Sequence, residues 1–451
     1  MREPSFWLRQ LLTRPVRPPL ASDLDVDVCV LGAGYTGLWA AYYLATADPS
    51  LRIAVVERER VGFGASGRNG GWVSAKIAGL DRLLEDPDTR PGAAAAYREM
   101  IATLDEIGRV IIAEGIDCGF TLGGSLVAAT RPAQVERLKA YVEAEHAAGF
   151  GDGDIRWLEP DEARRKIATS RSFGATFTPH CAAVDPARLV EGLAEAAERA
   201  GVTIYEGTPG TPAPGGVATP GGMVRAHIVV EATEAYRTAF KGRRRDVIPV
   251  YSLMVVTEPL AAAVWGEIGL ANRETFADGR HLIVYGQRTD DDRIAFGGRG
   301  APYHFGSAVQ PGFDLDERTF AFLRETLVDL FPTLEGVSFD GSWGGPLAIP
   351  RDWQPSVVFD GGTVVVGGYV GQGVALANLA GRTVRDLALR HDTDITHLPW
   401  VGHRSRKWEP EPLRWIGVNL ARRLTESVDR AEDAGRNPRI REAIFSRLPV
   451  G

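Results

Sequence analysis

The sequence predicts an α/β fold. A parallel sheet flanked by helices, interrupted along the chain, is joined to a second α+β unit built on an antiparallel sheet, and a helical C-terminal tail follows. Three observations predict this. A strand over 25–31 runs directly into Gly32-Ala33-Gly34-Tyr35-Thr36-Gly37, after which helix and strand alternate. Between Val247 and Gly300 that alternation gives way to short strands joined by a tight turn. From Thr363 to Leu389 the strand–loop–helix style returns.

The elements follow in order. Phe6, Trp7, Leu8, Leu11 and Leu12 suit a short amphipathic helix, expected as an arm (1–19) packed on the body. After the first strand and Gly37, Leu38, Ala41, Tyr42 and Ala45 share one helix face. Ile53–Val56 is the second strand and Glu57 ends it, twenty residues after Gly37. Next comes 61–72, with Gly64-Ala65-Ser66-Gly67-Arg68-Asn69-Gly70-Gly71 at its centre. Residues 92–115 form a helix through Ile101, Leu104, Ile107 and Ile111, Gly124–Ala129 a strand, and Gln134–Ala148 a helix. Asp185-Pro186 opens another helix, with Asp as N-cap and Pro at the first position, and Gly201 ends it. Strands Val202–Tyr205 and His227–Ala232 flank a turn-laden excursion, Gly207–Gly222. Tyr251–Glu258, Leu282–Arg288 and Arg293–Arg299 are strands, the last two a hairpin around Thr289–Asp292. Leu315–Phe331 is a helix. Strand Thr363–Val366, loop Gly367–Gly373 and helix Val374–Leu389 close the body. The tail (391–451) carries Trp400, Trp408 and Trp415 and a helix near Trp415–Ser427.

The opening motif describes a dinucleotide site in physical terms. Gly32 permits a tight turn, Gly34 lets backbone N–H groups approach a pyrophosphate, and Gly37 lets the helix pack close to the strand. The helix N-terminus then faces the phosphates with its partial positive charge. Glu57 can accept hydrogen bonds from a ribose diol, and its charge disfavours a 2′-phosphate. The loop at 62–71, five glycines in ten residues, suits a nest of N–H donors for an anion, with Arg68 adding a fixed charge.

Bulk composition narrows the class. The chain has 451 residues, 44% hydrophobic and 24% charged, with a net charge of −7. That is an ordinary globular composition of two or three domains, without the basic face that nucleic-acid binding needs. Three cysteines (Cys29, Cys118, Cys181) give no disulfide framework and no zinc spacing, and eight histidines form no metal signature. We expect a reduced, cytoplasmic protein with no metal. The N-terminus has Arg2, Arg9, Arg14 and Arg17 but no apolar run long enough for a secretory signal. The charge-free segment Gly361–Gly381 contains seven glycines and reads as a buried strand–loop–helix rather than a membrane span.

Four pieces in this order carry a resemblance: Gly32-x-Gly34-x-x-Gly37 with Glu57, the Gly64–Gly71 loop, Val184-Asp185-Pro186, and Gly367-Gly368-Tyr369-x-Gly371-x-Gly373. Over about residues 23–390 the chain resembles the D-amino-acid-oxidase-like family of FAD-dependent oxidoreductases, which includes sarcosine, glycine and γ-glutamylputrescine oxidases. The Gly64–Gly71 loop looks most like the γ-glutamylputrescine oxidase branch. The resemblance implies a discontinuous, Rossmann-like FAD domain (20–85, 181–246 and 345–390) and a substrate domain (86–180 and 247–344). It implies FAD rather than NAD. The second Gly-rich loop agrees, because a permanently bound ring must be held at several edges. N–H groups and the helix end at Gly368, Gly371, Gln372, Gly373 and Val374 suit the flavin N1–C2 carbonyl edge. Tyr35, Thr36, Arg58, Ala65, Ser66 and Asn69 complete the expected cofactor contacts.

The chain departs from the family in four places. The oxygen-promoting lysine of sarcosine oxidases falls on Ala295, and their carboxylate-clamping lysine on Ala375. The stretch Trp343-Gly344-Gly345-Pro346 offers no cysteine, so FAD is expected to be non-covalent. Ala232-Thr233-Glu234 replaces a small-Thr-Gly motif.

The expected reaction is oxidation of the C–N bond of an amine or amino acid by hydride transfer to flavin N5. The imine then hydrolyses, and oxygen or another acceptor takes the electrons. Tyr251, Tyr285, Trp343 and Tyr369 are candidate walls of the substrate pocket, suited to cation–π contact with an ammonium. Arg299, His304 and Arg351 are further polar candidates. Without the clamping lysine, an amine is preferred to a small amino acid. A flavin hydroxylase of another class, a non-catalytic FAD-binding component of a complex and an NAD-dependent dehydrogenase remain open at this point.

Overall fold

The structure, a computed structural model, describes residues 5–436. Strand Leu24–Leu31 lies inside an eight-stranded sheet. Its parallel neighbours are Ile53–Val56 on one side and Gly222–Glu231 on the other. Thr203–Tyr205 and Thr363–Gly367 extend the parallel set, and Ser356–Asp360 closes one edge antiparallel. A parallel sheet must be covered on both faces, and residues 28–31 and 53–56 are accordingly all buried.

Helix Tyr35–Ala47 is buried on nearly every side, not on one face as its periodicity suggests. Helices Pro186–Arg199 and Gly373–Leu389 both pack on it. A Cβ on Gly381 would meet Trp39 Cβ at 2.6 Å, so the last helix approaches this closely only because residue 381 is glycine. The excursion at 207–222 is more ordered than expected. Thr211–Ala213 and Gly216–Thr219 form a meander with Gly222–Glu231.

The second sheet also has eight strands, in the order Phe339–Ile349, Ile248–Thr257, Ile294–Arg299, Val284–Arg288, Thr275–Asp278, Ser125–Ala128, Ala175–Thr178 and Arg156–Leu158. Every neighbouring pair is antiparallel except Thr275–Asp278 with Ser125–Ala128. Helix Glu317–Leu330, capped by Asp316, covers one face with Phe320, Leu323 and Leu327. The strand period of two sends Ile294 and Phe296 to that face, and Ala295, Gly297 and Arg299 to the face turned toward the parallel sheet.

The arm does pack on the body. Phe6–Arg9 is a short helix, Trp7 is buried against Trp343, Met254 and Ala295, and the Trp7 indole N–H donates to the Asn69 carbonyl at 3.0 Å. The tail helix runs longer than expected, Leu413–Asp433, and is clasped to the second sheet. Asp429 accepts from the N–H groups of His281 and Leu282, both at 2.8 Å, and Glu432 pairs with Arg137. His281, Asp429 and Glu432 bring potential metal-ligand atoms within 4.8 Å of one another. Their partners make this cluster a clasp. Cys29, Cys118 and Cys181 are free and buried, and burial pushes each thiol up to about 12. Among the described residues no helix is long and apolar enough to cross a membrane.

A candidate cofactor cleft and active site

A cleft of about 1160 Å³, counted out to open solvent, opens at the carboxyl ends of the parallel strands. The first turn forms one wall. Gly32 has φ +106, and a Cβ there would lie 2.7 Å from the Ala232 carbonyl oxygen. A Cβ on Gly37 would lie 2.0 Å from the Gly32 carbonyl oxygen and 3.0 Å from Val30. Gly37 therefore sits behind the cleft and makes the turn possible, while Gly32, Gly34, Tyr35 and Thr36 line it. Helix Tyr35–Ala47 has no side-chain cap at Gly34, so its first-turn N–H groups stay available, except that of Tyr35, which donates to Ser66 Oγ at 2.9 Å.

Glu57 and Arg58 line the far end. The Glu57 carboxylate accepts from the N–H of Ala33 and the N–H of Glu59, both at 2.9 Å. Burial pushes its pKa up, and those two N–H groups oppose the push. Each oxygen keeps a lone pair for a diol. Arg58 lies over the ring of Tyr236, 5.2 Å to its centre, making a flat apolar edge with Phe240.

The Gly-rich loop at 61–71 divides its labour. Gly64, Ala65, Ser66 and Asn69 line the cleft. Arg68, Gly70 and Gly71 face the seam with the second sheet instead, and Gly67 packs against Leu8 of the arm. Arg68 corrects the expectation of a free charge for an anion. It is 3% exposed, donates to the carbonyls of Phe63 and Gly344, and lies 3.6 Å from Asp314. Gly71 approaches so closely that a Cβ would meet Gln287 Nε2 at 2.0 Å, and that amide donates to the carbonyls of Gly70 and Val184.

The C-terminal loop also departs from expectation. The N–H groups of Gly368 and Tyr369 donate to the Glu234 carboxylate at 2.8 and 3.2 Å, so neither is open to a ligand. Gly368 does not line the cleft, and Gln372 is the helix N-cap. Gly371, Gly373 and Val374 do line it, at a helix end without a side-chain cap. Glu234, a departure from the family motif, thus acquires a role that the sequence alone did not assign. It has φ +46, a conformation natural to glycine, which is the residue the resemblance expects there. Its replacement by glutamate was the available signal.

The four aromatic candidates separate. Tyr369 lines the cleft, and its hydroxyl lies 2.9 Å from Thr36 Oγ1. Tyr285 stands on the second sheet facing the seam, its hydroxyl 2.8 Å from Ser252 Oγ. Tyr251 and Trp343 do not line the cleft. Tyr251 is fully buried, edge-on to His304 and Phe313, and Trp343 is buried with its indole N–H on the Arg68 carbonyl at 2.9 Å. Arg351 pairs with Glu409. Arg299 stands out: it donates to the Val370 carbonyl at 2.6 Å and has no ion pair among the described residues. Burial holds its pKa below the ordinary arginine value, and Tyr285 acts in opposition. Val370 itself has φ +56, which is strained for a β-branched residue.

The family model of the FAD dependent oxidoreductases (DAO) matches residues 27–387. Gamma-glutamylputrescine oxidoreductase of Escherichia coli is 30% identical over 86% of this chain and 90% of its own. Probable oxidoreductase OrdL of Haemophilus influenzae is 28% identical over 84% and 86%. The crystal structure of glycine oxidase from Geobacillus kaustophilus shares the fold, with a TM-score of 0.68 and 24% identity over 85% of this chain and 100% of that one. The chain belongs to the DAO family of FAD-dependent oxidoreductases.

Proposed function

We propose that this enzyme oxidises the C–N bond of an amine that also bears a carboxylate, with FAD held non-covalently in the cleft. The residues present fit that cofactor. Glycines 32, 34 and 371 leave room where a Cβ would crowd a neighbour. Two uncapped helix ends supply N–H groups, and Glu57 supplies acceptors at the far end. FAD, when bound, supplies the hydride acceptor. In this reading segments 20–85, 181–246 and 345–390 hold the cofactor, while 86–180 and 247–344 face the substrate.

The residues' own work is orientation and charge. The helix starting at Gly373 brings positive partial charge to the cleft. Tyr369, fixed by Thr36, holds that loop against the first helix. Arg299 is the single observation that carries the substrate class. A half-buried guanidinium, with a carbonyl but, among the described residues, no carboxylate paired with it, is suited to a substrate anion. It supplies the clamping charge that Ala375 lacks, which shifts the preference from a plain amine to an amino acid or N-substituted amino acid. Tyr285 and Ser252, on the two strands that flank the strand of Arg299 and on the same face, form the polar wall beside it. The substrate loses a hydride from the carbon next to nitrogen and a proton from nitrogen. Water then attacks the imine, releasing a carbonyl compound and an amine.

A specific observation favours an electron acceptor other than oxygen. Ala295, wholly buried beneath Trp7 and Met254, carries no charge at the position where the resemblance expects the oxygen-promoting lysine. The deciding experiment is an anaerobic flavin-bleaching screen over amines with and without a carboxylate, followed by an oxygen pulse. Rapid bleaching by the carboxylate-bearing set and slow recovery in oxygen support the reading. Bleaching by plain amines alone removes the role of Arg299.

A further inference from the structure

The 3-10 turn Glu234–Ala239 separates the cofactor cleft from a second cavity of about 1450 Å³, counted out to open solvent. Glu234 faces the cleft and Arg237 the second cavity. The chain carries a net charge of −7, yet this concavity gathers Arg237, Lys241, Arg243, Arg404 and Lys407. The gathering follows from the backbone. Segments 241–245 and 404–408 run side by side, tied by the Trp408 N–H to the Arg245 carbonyl at 2.8 Å.

The acids that line the cavity are already committed. Glu231 and Asp246 pair with Arg243, and Asp360 pairs with Arg404. Among the described residues Lys241 and Lys407 make no ion pair, and Arg237 makes none at contact distance although its charge favours the ionised form of Glu234. Lys241 and Lys407 are exposed. Arg237 is 5% exposed and donates through Nη2 to the Val366 carbonyl, but its buried Nε has no hydrogen-bond partner. Buried guanidinium N–H groups are normally satisfied, so this one is a donor without a partner in the wall of a cationic cavity.

We propose that the cavity binds a phosphate-bearing small molecule, its phosphate held by Arg237, Lys241 and Lys407. A phosphate offers nearly two charges and three acceptor oxygens, which matches three cations arriving from two segments, 237–241 and 404–408. A carboxylate, with one charge in one plane, matches them less well. The remaining volume accommodates the organic part. This site is distinct from the FAD cleft, and the proposal does not depend on which substrate the enzyme oxidises.

The test titrates FAD-loaded enzyme with inorganic phosphate and, separately, with AMP, by calorimetry, while the flavin absorbance is followed. One saturable phosphate per chain is expected, weakened about tenfold or more in the Lys241→Ala/Lys407→Ala double variant, with the flavin spectrum unchanged. Both lysines are exposed, so that variant folds even where Arg237→Gln does not. AMP binding tenfold tighter than phosphate identifies a nucleotide as the source, and equal affinity identifies the phosphate group alone. Absent saturable binding, equal affinity in the double variant, or displacement of flavin during the titration each overturns the proposal.

Discussion

In the parallel sheet, the groups proposed to face the cofactor come from strand ends and helix starts. They are mostly backbone N–H donors, freed by Gly32, Gly34 and Gly37 and completed by one carboxylate, Glu57. In the antiparallel sheet the corresponding groups come from the strands themselves. They are side chains, Ser252, Tyr285 and Arg299, brought into one face by the two-residue period of three different strands. The first arrangement tolerates almost no change in shape, because the backbone itself is the ligand-binding surface. The second tolerates changes in shape but not in charge. In the proposed reading, function accordingly divides into a shape-critical grip on the cofactor fragment and an adjustable choice of substrate.

The largest effect should come from breaking the backbone side. Gly37→Val places carbon where only 2.0 Å separates the Cβ position from a carbonyl oxygen. We expect little folded protein, and what is recovered should be colourless by visible absorbance. On the side-chain side, Arg299→Gln should fold and keep its flavin but lose about 10²–10³ in kcat/KM for carboxylate-bearing amines, the scale of removing a buried charge pair. Arg299→Lys should recover part of that loss, and amines without a carboxylate should be unaffected. Stopped-flow flavin reduction checks all three.

Glu57→Ala tests the far end of the backbone site. Losing a charge-assisted hydrogen bond to the ribose costs about 1.5–3 kcal/mol, so FAD should dissociate roughly 10–100 times more readily in equilibrium dialysis. Unchanged retention would remove Glu57 from the contact set. The smallest effect belongs to the tail clasp. Burial works against Glu432, but hydrogen bonds from His281 and Arg137 outweigh it and bring its pKa from 4.5 to about 2. A depressed carboxylate pKa stabilises the fold above the unfolded value and loses that contribution as pH falls from 4.5 toward 2. Glu432→Gln should cost about 2 kcal/mol at neutral pH after allowance for solvent screening, and should flatten acid unfolding in that window.

The same contrast explains what could be read from the sequence. The Gly32–Gly37 turn, the second strand and Glu57 are contiguous, so their physics is local and visible in spacing. The hairpin around Thr289–Asp292 was legible for the same reason. Arg68 was not. Its partners, Gly344 and Asp314, lie more than 240 residues away, and only the fold reveals that its charge is consumed in the seam. Tyr251 and Trp343 are aromatic and well placed along their strands. Which face each presents, and what covers it, depends on helix Glu317–Leu330 and on the arm bearing Trp7. Glu234 falls between these cases. Its oddity was visible as glutamate in place of glycine, but its use, holding Gly368 and Tyr369, required the last strand to be placed beside it.

One titration tests the central claim most directly: anaerobic addition of carboxylate-bearing amines to the purified holoenzyme, and to Arg299→Gln, with flavin absorbance as the readout. The account predicts complete bleaching of the wild-type flavin by at least one such amine, and bleaching slowed a hundredfold or more in the variant with its flavin content intact. A protein that carries no flavin after reconstitution, or a variant that bleaches as fast as wild type, would contradict it.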